Sequence, residues 1–409
     1  MTLEIGMTAL NQGRFLDAEQ AFRQILETPE NLQHIAPFLI FSLIEQNKVN
    51  DLHALTASSE LSNTYQKAMF DALWHYIKQN RFDVVASISQ HLRPEHRFLN
   101  VITQFLEACI KSQSGDTDMA APHFQKAHAL AYETDKTLSL PENIAELVKA
   151  GWNVENDAFV LSVMNDSELD AAKAKLLVEK NILPNSQDGD FVIYSSCDEK
   201  YVDAYVEGEV LSLEKRGKPQ TFHLNIVGGS KACGEKIDVL RAKLKYVRLN
   251  YSIEHAPKLH STTYFACSRF VNALAVMKLY DQDLLISDVD IVFNERLDQV
   301  MSVMQKHDVG YYFYENAFPW LRHYATEVYV KNNAQGRLYL STLGNYCMKK
   351  LYDHRYWTLD QAAMYCVALA FQRSGTNVSI CDLLQLGATL HDVQMQMDAR
   401  LVRNQTRFV

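Results

Sequence analysis

The sequence predicts two architectures in series: an all-α repeat domain over residues 1–150 and an α/β domain with a doubly wound sheet over 188–409. A helical linker spans 151–187. Three observations carry this reading. Apolar residues recur at three and four through the first 150 positions, as in IGMTALNQGRFLDAEQAFRQIL, without strand-like alternation. The turn-forming cluster LPNSQDGD interrupts the helical pattern at 183–190. Beyond it, short apolar runs alternate with amphipathic helices, the pattern of a parallel sheet covered on both faces.

Composition bounds the function. A chain of 409 residues exceeds one ordinary core and implies two or three domains. A net charge of -9 with no Lys/Arg block argues against nucleic acid as a partner. The seven cysteines are scattered, odd in number and never spaced Cys-x-x-Cys, which supports neither a zinc knuckle nor a disulfide framework. Reduced thiols and a cytoplasmic location are expected. MTLEIGMTALNQ lacks the basic start and apolar run of a signal peptide. No window of eighteen apolar residues predicts a membrane span.

The helical half shows a repeat. Ala18, Leu52, Ala86 and Ala120 stand 34 residues apart. The first unit carries Gly6, Ala9, Gly13, Phe15, Ala18, Phe22 and Ile25, and closes at Pro29. The fourth, GDTDMAAPHFQKAHAL, has Ala120, Phe124 and Ala127 in matching places. Small residues let two helices approach, and aromatics fill the space between pairs. These units resemble tetratricopeptide repeats, with a register slip at QNRFDVV, where the turn comes one residue early. Such repeats offer a concave face to a protein or peptide partner. An ordinary helical bundle is the alternative.

The helical pattern runs on through PENIAELVKAGW and SELDAAKAKLLVEKN. After the break, FVIYSS reads as a strand, VDAYVEGEVLSLEKRG as a helix capped at Gly217, and TFHLNIVGG as a strand. EKIDVLRAKLK is helical, YVRLNYS a strand, and STTYFACSRFVNALAVMKLY a helix with Ser261 as its cap. LLISDVDIVF is the next strand. Ligands of such sheets bind beyond the carboxyl ends of the strands. Ser195, Ser196, Gly228, Gly229, Asp288 and Asp290 fall there.

Asp-x-Asp also occurs at 116/118, 188/190 and 281/283, so the tripeptide alone says little. The Asp288/Asp290 copy is distinct because it follows a buried-type strand and has apolar neighbours on both sides. Residues two apart on a strand face one way. Both carboxylates would then meet one ligand, a hard divalent cation that also binds phosphate oxygens. Solvated caps at a strand end are the alternative.

Residues 190–372 resemble the A-type glycosyltransferases related to glycogenin and the bacterial lipooligosaccharide galactosyltransferases. The resemblance rests on the order FVIYSSCDEKYVDAYVEGEVLSL, FHLNIV, the helix with Arg269, LLISDVDIVF, and WTLDQAAMYCVALAF. It implies a GT-A fold and sugar transfer from a nucleotide-diphosphate donor, most often a UDP-sugar, with Mn²⁺ or Mg²⁺ as cofactor. Asp288 would lie near ribose and metal, and Asp290 would coordinate the metal. Asp360 and Gln361 would face the donor sugar, beside Trp357. Arg269 would contact a phosphate. Ser195, Ser196 and Asp198 would cradle the base. His391 would stand where the family often has a third metal ligand, although the Gly-rich basic turn that follows in the family is missing; a surface or core histidine is the alternative. The acceptor (glycan, lipid-linked glycan or protein) is unspecified. The glycogenin-like pattern implies a retaining reaction; an inverting one would use a base such as Glu315.

Each site residue also has a plain structural reading. Arg269 can be a surface arginine. Asp360 suits the first turn of a helix capped by Thr358. In YYFYENAFPWLRHY, Tyr311 and Phe313 read as core, while the loop from Glu315 to His323 is a candidate sugar wall. Two other functions share the motif. SDVDIV has the letters of a haloacid-dehalogenase-type phosphatase with Asp288 as nucleophile, but no later acidic motif follows. A helical-repeat scaffold with a degenerate transferase domain is the third reading.

Overall fold

The computed structural model describes residues 3–26, 32–57, 62–91, 96–133, 137–164, 166–183, 189–254, 262–314, 318–353, 356 and 358–386. The chain divides into two compact units, Met1–Val154 and Glu155–Val409. All seven cysteines are buried thiols, outside any disulfide. Among the described residues no helix is long and apolar enough to cross a membrane.

The first unit is helical, from Leu3–Asn11 to Glu142–Gly151. Four helix hairpins turn on one device. Gly13, Asn47, Asn80 and Gly115 adopt φ of 69°, 55°, 58° and 80°. Their N–H groups donate to Leu10, Ile44, Ile77 and Ser112 O. The next N–H groups, of Arg14, Lys48, Arg81 and Asp116, reach back to Ala9, Leu43, Tyr76 and Lys111 O. This is a Schellman closure, which needs a left-handed residue that glycine or asparagine supplies cheaply. The turns recur at 34, 33 and 35 residues. The buried residue of the following helix shifts with them: Ala18, Leu52, Val85 and Ala120 are fully buried. Ala86, the residue the 34-residue spacing selects, is exposed instead.

Aromatic rings join successive hairpins. Phe22 stacks on Phe38, Phe41 on Tyr76, and Phe70 lies 6.4 Å from Phe105. A Cβ on Gly6 would lie 2.5 Å from the Phe22 ring, and one on Gly151 would lie 2.6 Å from Phe124. Gly6→Val should therefore cost about 1 kcal/mol net: overpacking outweighs the few tenths gained in helix propensity. An unchanged melting temperature of the full chain would refute that close approach.

The second unit is built on one mixed sheet. Its strands are β1 (Leu177–Asn181), β2 (Phe191–Cys197), β3 (Gln220–Val227), β4 (Val247–Glu254), β5 (Asp283–Ser287), β6 (Val309–Phe313), β7 (His323–Val330) and β8 (Ile380–Asp382). They lie in the order β1-β4-β3-β2-β5-β7-β6-β8. Only β4, β3, β2 and β5 form the expected continuous parallel block. β7 runs against both β5 and β6, and β1 against β4. The doubly wound expectation is corrected to a mixed sheet. Residues 314–322 are too few for a parallel crossover, so β6 and β7 must form a hairpin.

Local departures have local causes. The expected linker contributes helices Asp157–Val163 and Ser167–Ala174, and then leaves helix altogether, because VEKN completes β1. These helices are tied to the long helix Ala334–Asp353. Lys350 pairs with Glu155, and Asn345 Nδ2 donates to Val163 O at 3.0 Å. The helix after β2 begins at Glu199, passes through a π turn over Val202–Val206, and ends at Glu214. Gly217, the expected cap, lies three residues past that end with φ 66°. Ser261 lies outside the described residues.

Candidate functional site

β2 is flanked by β3 on one side and β5 on the other, so the strand order reverses between β2 and β5. A crevice at the carboxyl edge of such a reversal is where open α/β sheets take ligands. Ser195 of β2 and Ser287 of β5 are register partners there.

Neither serine offers a bare hydroxyl. Their oxygens are 2.8 Å apart, and each lies 3.0 Å from Glu209 Oε1. Ser195 is fully buried. Ser196 Oγ meets Ser268 Oγ at 2.8 Å and accepts from Asn225 Nδ2 at 3.0 Å. Asp198 accepts from Tyr201 N at 3.0 Å and so caps the next helix. Glu209 is 1% exposed. Burial pushes its carboxyl well above the usual range, and the two serine bonds oppose the rise. Its Oε2 is buried with no hydrogen-bond partner among the described residues.

β5 ends at Ser287, and Asp288–Asp290 form a turn rather than continuing the strand. The alternation argument for two parallel carboxylates therefore does not apply. The Asp288 N–H donates to Thr326 O of β7 at 2.8 Å, and Val289 is buried, so the turn is anchored. The Asp288 side chain is 31% exposed.

Arg269 is no surface arginine. Its side chain is 7% exposed, pairs through Nη1 with Asp288, and donates through Nη2 to Asp360 Oδ2 at 2.9 Å. Its Nε is buried with no hydrogen-bond partner among the described residues. Asp360 is slightly more buried still, and its Oδ1 accepts from Gln361 N at 2.9 Å. Gln361 Oε1 is buried without a hydrogen-bond partner among the described residues. Thr358 does not cap this helix through its side chain; it sits at φ 68°. A β-branched residue in that region costs about 1–2 kcal/mol, and such strain gathers at functional sites. Trp357, Glu315 and His391 lie outside the described residues.

Burial pushes the Asp288 carboxyl up to about 6; Arg269 opposes the rise, while Asp290, Asp360 and Glu327 add to it. Among the described residues, two carboxylates, Asp288 and Asp360, thus share one buried guanidinium, and Asp290 and Glu327 act on Asp288 electrostatically. Among the same residues no three His, Cys, Asp or Glu side chains form a complete metal cage. A magnesium-like ion needs only one or two carboxylates when phosphates and water supply the rest. Asp288 and Asp290 are the carboxylates of this turn that could hold one.

Sequence reasoning missed three buried carboxylates at this edge: Glu209, Glu254 and Glu327, none more than 1% exposed. Glu254 ends β4, accepts from Tyr264 OH and from the side-chain amides of Asn225 and Asn272, and is pushed by burial to about 6. One signal was available for Glu209. It falls three residues after Val206 and four before Leu213, within the apolar stripe of its helix. In the aromatic segment Tyr311 and Tyr312 are both core, Phe313 is half-buried and Tyr314 is exposed.

No family model and no curated protein matches the chain. The solved structures it is similar to are glycosyltransferases. The bifunctional glycosyltransferase WbbM in its apo form is 14% identical, with TM-score 0.33 over 46% of this chain and 38% of that one. Mouse xyloside xylosyltransferase 1 is 11% identical, with TM-score 0.33 over 47% of this chain and 85% of that one. The galactosyltransferase LgtC, solved with donor and acceptor sugar analogues, is 13% identical, with TM-score 0.30 over 47% and 72%. The match thus spans well under half the length of WbbM.

Proposed function

We propose that the second unit is a metal-dependent glycosyltransferase that moves a sugar from a nucleotide-diphosphate donor, a UDP-sugar by preference, to a glycan, lipid-linked glycan or protein. The observation that carries this reading is the buried cluster at the strand-order reversal, where Arg269 holds Asp288 and Asp360 together while Asp290 and Glu327 act electrostatically on Asp288. Mn²⁺ or Mg²⁺ held by Asp288 and Asp290, with His391 as a third ligand, would supply charge stabilisation for a leaving diphosphate. The chain's own part is to hold that position. Arg269 fixes Asp288 and Asp360 in one arrangement, and Asp360 and Gln361 accept hydrogen bonds from sugar hydroxyls. A retaining outcome follows from the glycogenin-like pattern. The first unit, read as tetratricopeptide-like, takes a protein or peptide partner.

The test is the melting temperature of the full chain with a panel of nucleotide sugars, with and without Mn²⁺. A ligand that binds only the folded state at 100 times its Kd stabilises it by about 2.7 kcal/mol. One sugar nucleotide should raise the melting temperature only together with metal, and Asp290→Ala should abolish the rise. No shift with any donor would remove the transferase reading.

A further inference from the structure

The turn that carries Asp288 and Asp290 is held at both ends by one helix. At its start, Ser287 Oγ lies 3.0 Å from Glu209 Oε1. At its far side, the Phe293 N–H donates to Ser212 Oγ at 3.1 Å. Glu209 and Ser212 are neighbours on helix Glu207–Glu214, and Ser212 in turn donates to Glu209 O at 2.6 Å. The same Glu209 oxygen also engages Ser195 of β2, so three elements meet at one buried atom. A π turn over Val202–Val206 leads directly into this helix. The extra residue of such a turn rotates everything after it about the helix axis, and π turns gather at functional sites.

We propose that Glu209 and Ser212 are positioning residues: together they clamp the Asp288–Asp290 turn in the form that takes a divalent cation. This rests on the transferase reading above. Glu209 acts by accepting two hydroxyl bonds, not by its charge, and it touches neither metal nor substrate. Partners that orient metal ligands in this way are worth about 10–100-fold in metal affinity.

The test titrates Mn²⁺ alone into the full chain and follows free ion by electron paramagnetic resonance. Wild type is compared with Glu209→Gln, Glu209→Leu, Ser287→Ala and Ser212→Ala, each well below its own melting temperature. Glu209→Leu and Ser287→Ala should weaken Mn²⁺ binding by about 10-fold or more. Glu209→Gln, whose amide oxygen still accepts both hydroxyls, should stay within about 3-fold of wild type, a rescue that the charge-independent role requires. If Glu209→Leu does not fold, Ser287→Ala decides, since it removes one hydroxyl. Wild-type affinity in folded Glu209→Leu or Ser287→Ala overturns the clamp. A loss in Glu209→Gln as deep as in Glu209→Leu also overturns it, because the charge would then matter. If wild type holds no Mn²⁺, the metal-dependent transferase reading falls and takes the clamp with it; binding by wild type with indifferent variants removes the clamp alone.

Discussion

Arg269→Met should destabilise the α/β unit by about 3–5 kcal/mol, because it leaves buried carboxylates without their cation. The side chains concerned are 7% exposed for Arg269 and 5% for Asp360, so water cannot replace the lost partner at Asp360. Asp288, at 31%, can recover part of its hydration, and most of the cost therefore falls on Asp360. At about 2–4 °C per kcal/mol for a domain of this size, the melting temperature should fall by roughly 10 °C at neutral pH. The double variant Arg269→Met/Asp360→Asn should recover more than half of the loss, since neutralising the stranded carboxylate removes the penalty. Partners in contact couple in this way. Urea midpoints of the two single variants and the double variant measure the coupling. Strict additivity, or a loss below about 1 kcal/mol for Arg269→Met, would show that the buried pairs do not form.

The second large effect is a slope of stability with pH set by Glu254. Its carboxyl is raised from 4.5 to about 6, with burial as the first cause and the bonds from Tyr264, Asn225 and Asn272 opposing it. Between those two values the folded chain holds a proton that the unfolded chain has released. Stability is therefore fully present below about 4.5 and is lost as pH rises to about 6. Each tenfold difference in proton affinity between the two states is worth about 1.4 kcal/mol, so the loss is on the order of 2 kcal/mol. Glu254→Gln keeps a group of the same shape that cannot ionise, and the Tyr264 hydroxyl can turn to accept from it. The variant should match or exceed wild type at pH 7 and lose that advantage at pH 4.5. Asp288 is raised in the same sense, so the informative quantity is the difference between wild type and variant across the range. Parallel stability curves would show that Glu254 does not titrate in this window.

The helical half was legible because its signal is periodic and local. The 34-residue spacing matches a buried position at Ala18, Leu52 and Ala120 but not at Ala86, because the Asn80 turn comes one residue early. The strands of the parallel block were also legible as apolar runs bounded by turn formers. Strand direction was not. HYATEVYV is almost wholly buried, and a segment covered on both faces carries no alternation to orient it. The Asp288–Asp290 turn was read as strand for a similar reason: Val289 and Ile291 are buried and look like a continuing run. Asp360 and Arg269 could be named singly. Their pairing spans 91 residues, and nothing in either local sequence encodes it. Glu209 was hidden by its neighbours, since a lone carboxylate in an apolar stripe reads as a helix edge until its two serine partners arrive from other strands.

The buried cysteines make the protein its own reporter of motion. A thiol reagent reaches none of them without an opening event, and burial holds Cys197 and Cys267 well above the usual thiol range while Cys366 is pushed up to about 12. Modification at neutral pH therefore counts excursions from the folded state rather than reactivity in it. The seven sites are divided unequally: Cys109 alone lies in the helical unit, and the other six lie in the α/β unit. One label against six gives two clocks in a single chain, read by mass. Their rates tell whether the helical unit breathes apart from the sheet or whether both open together.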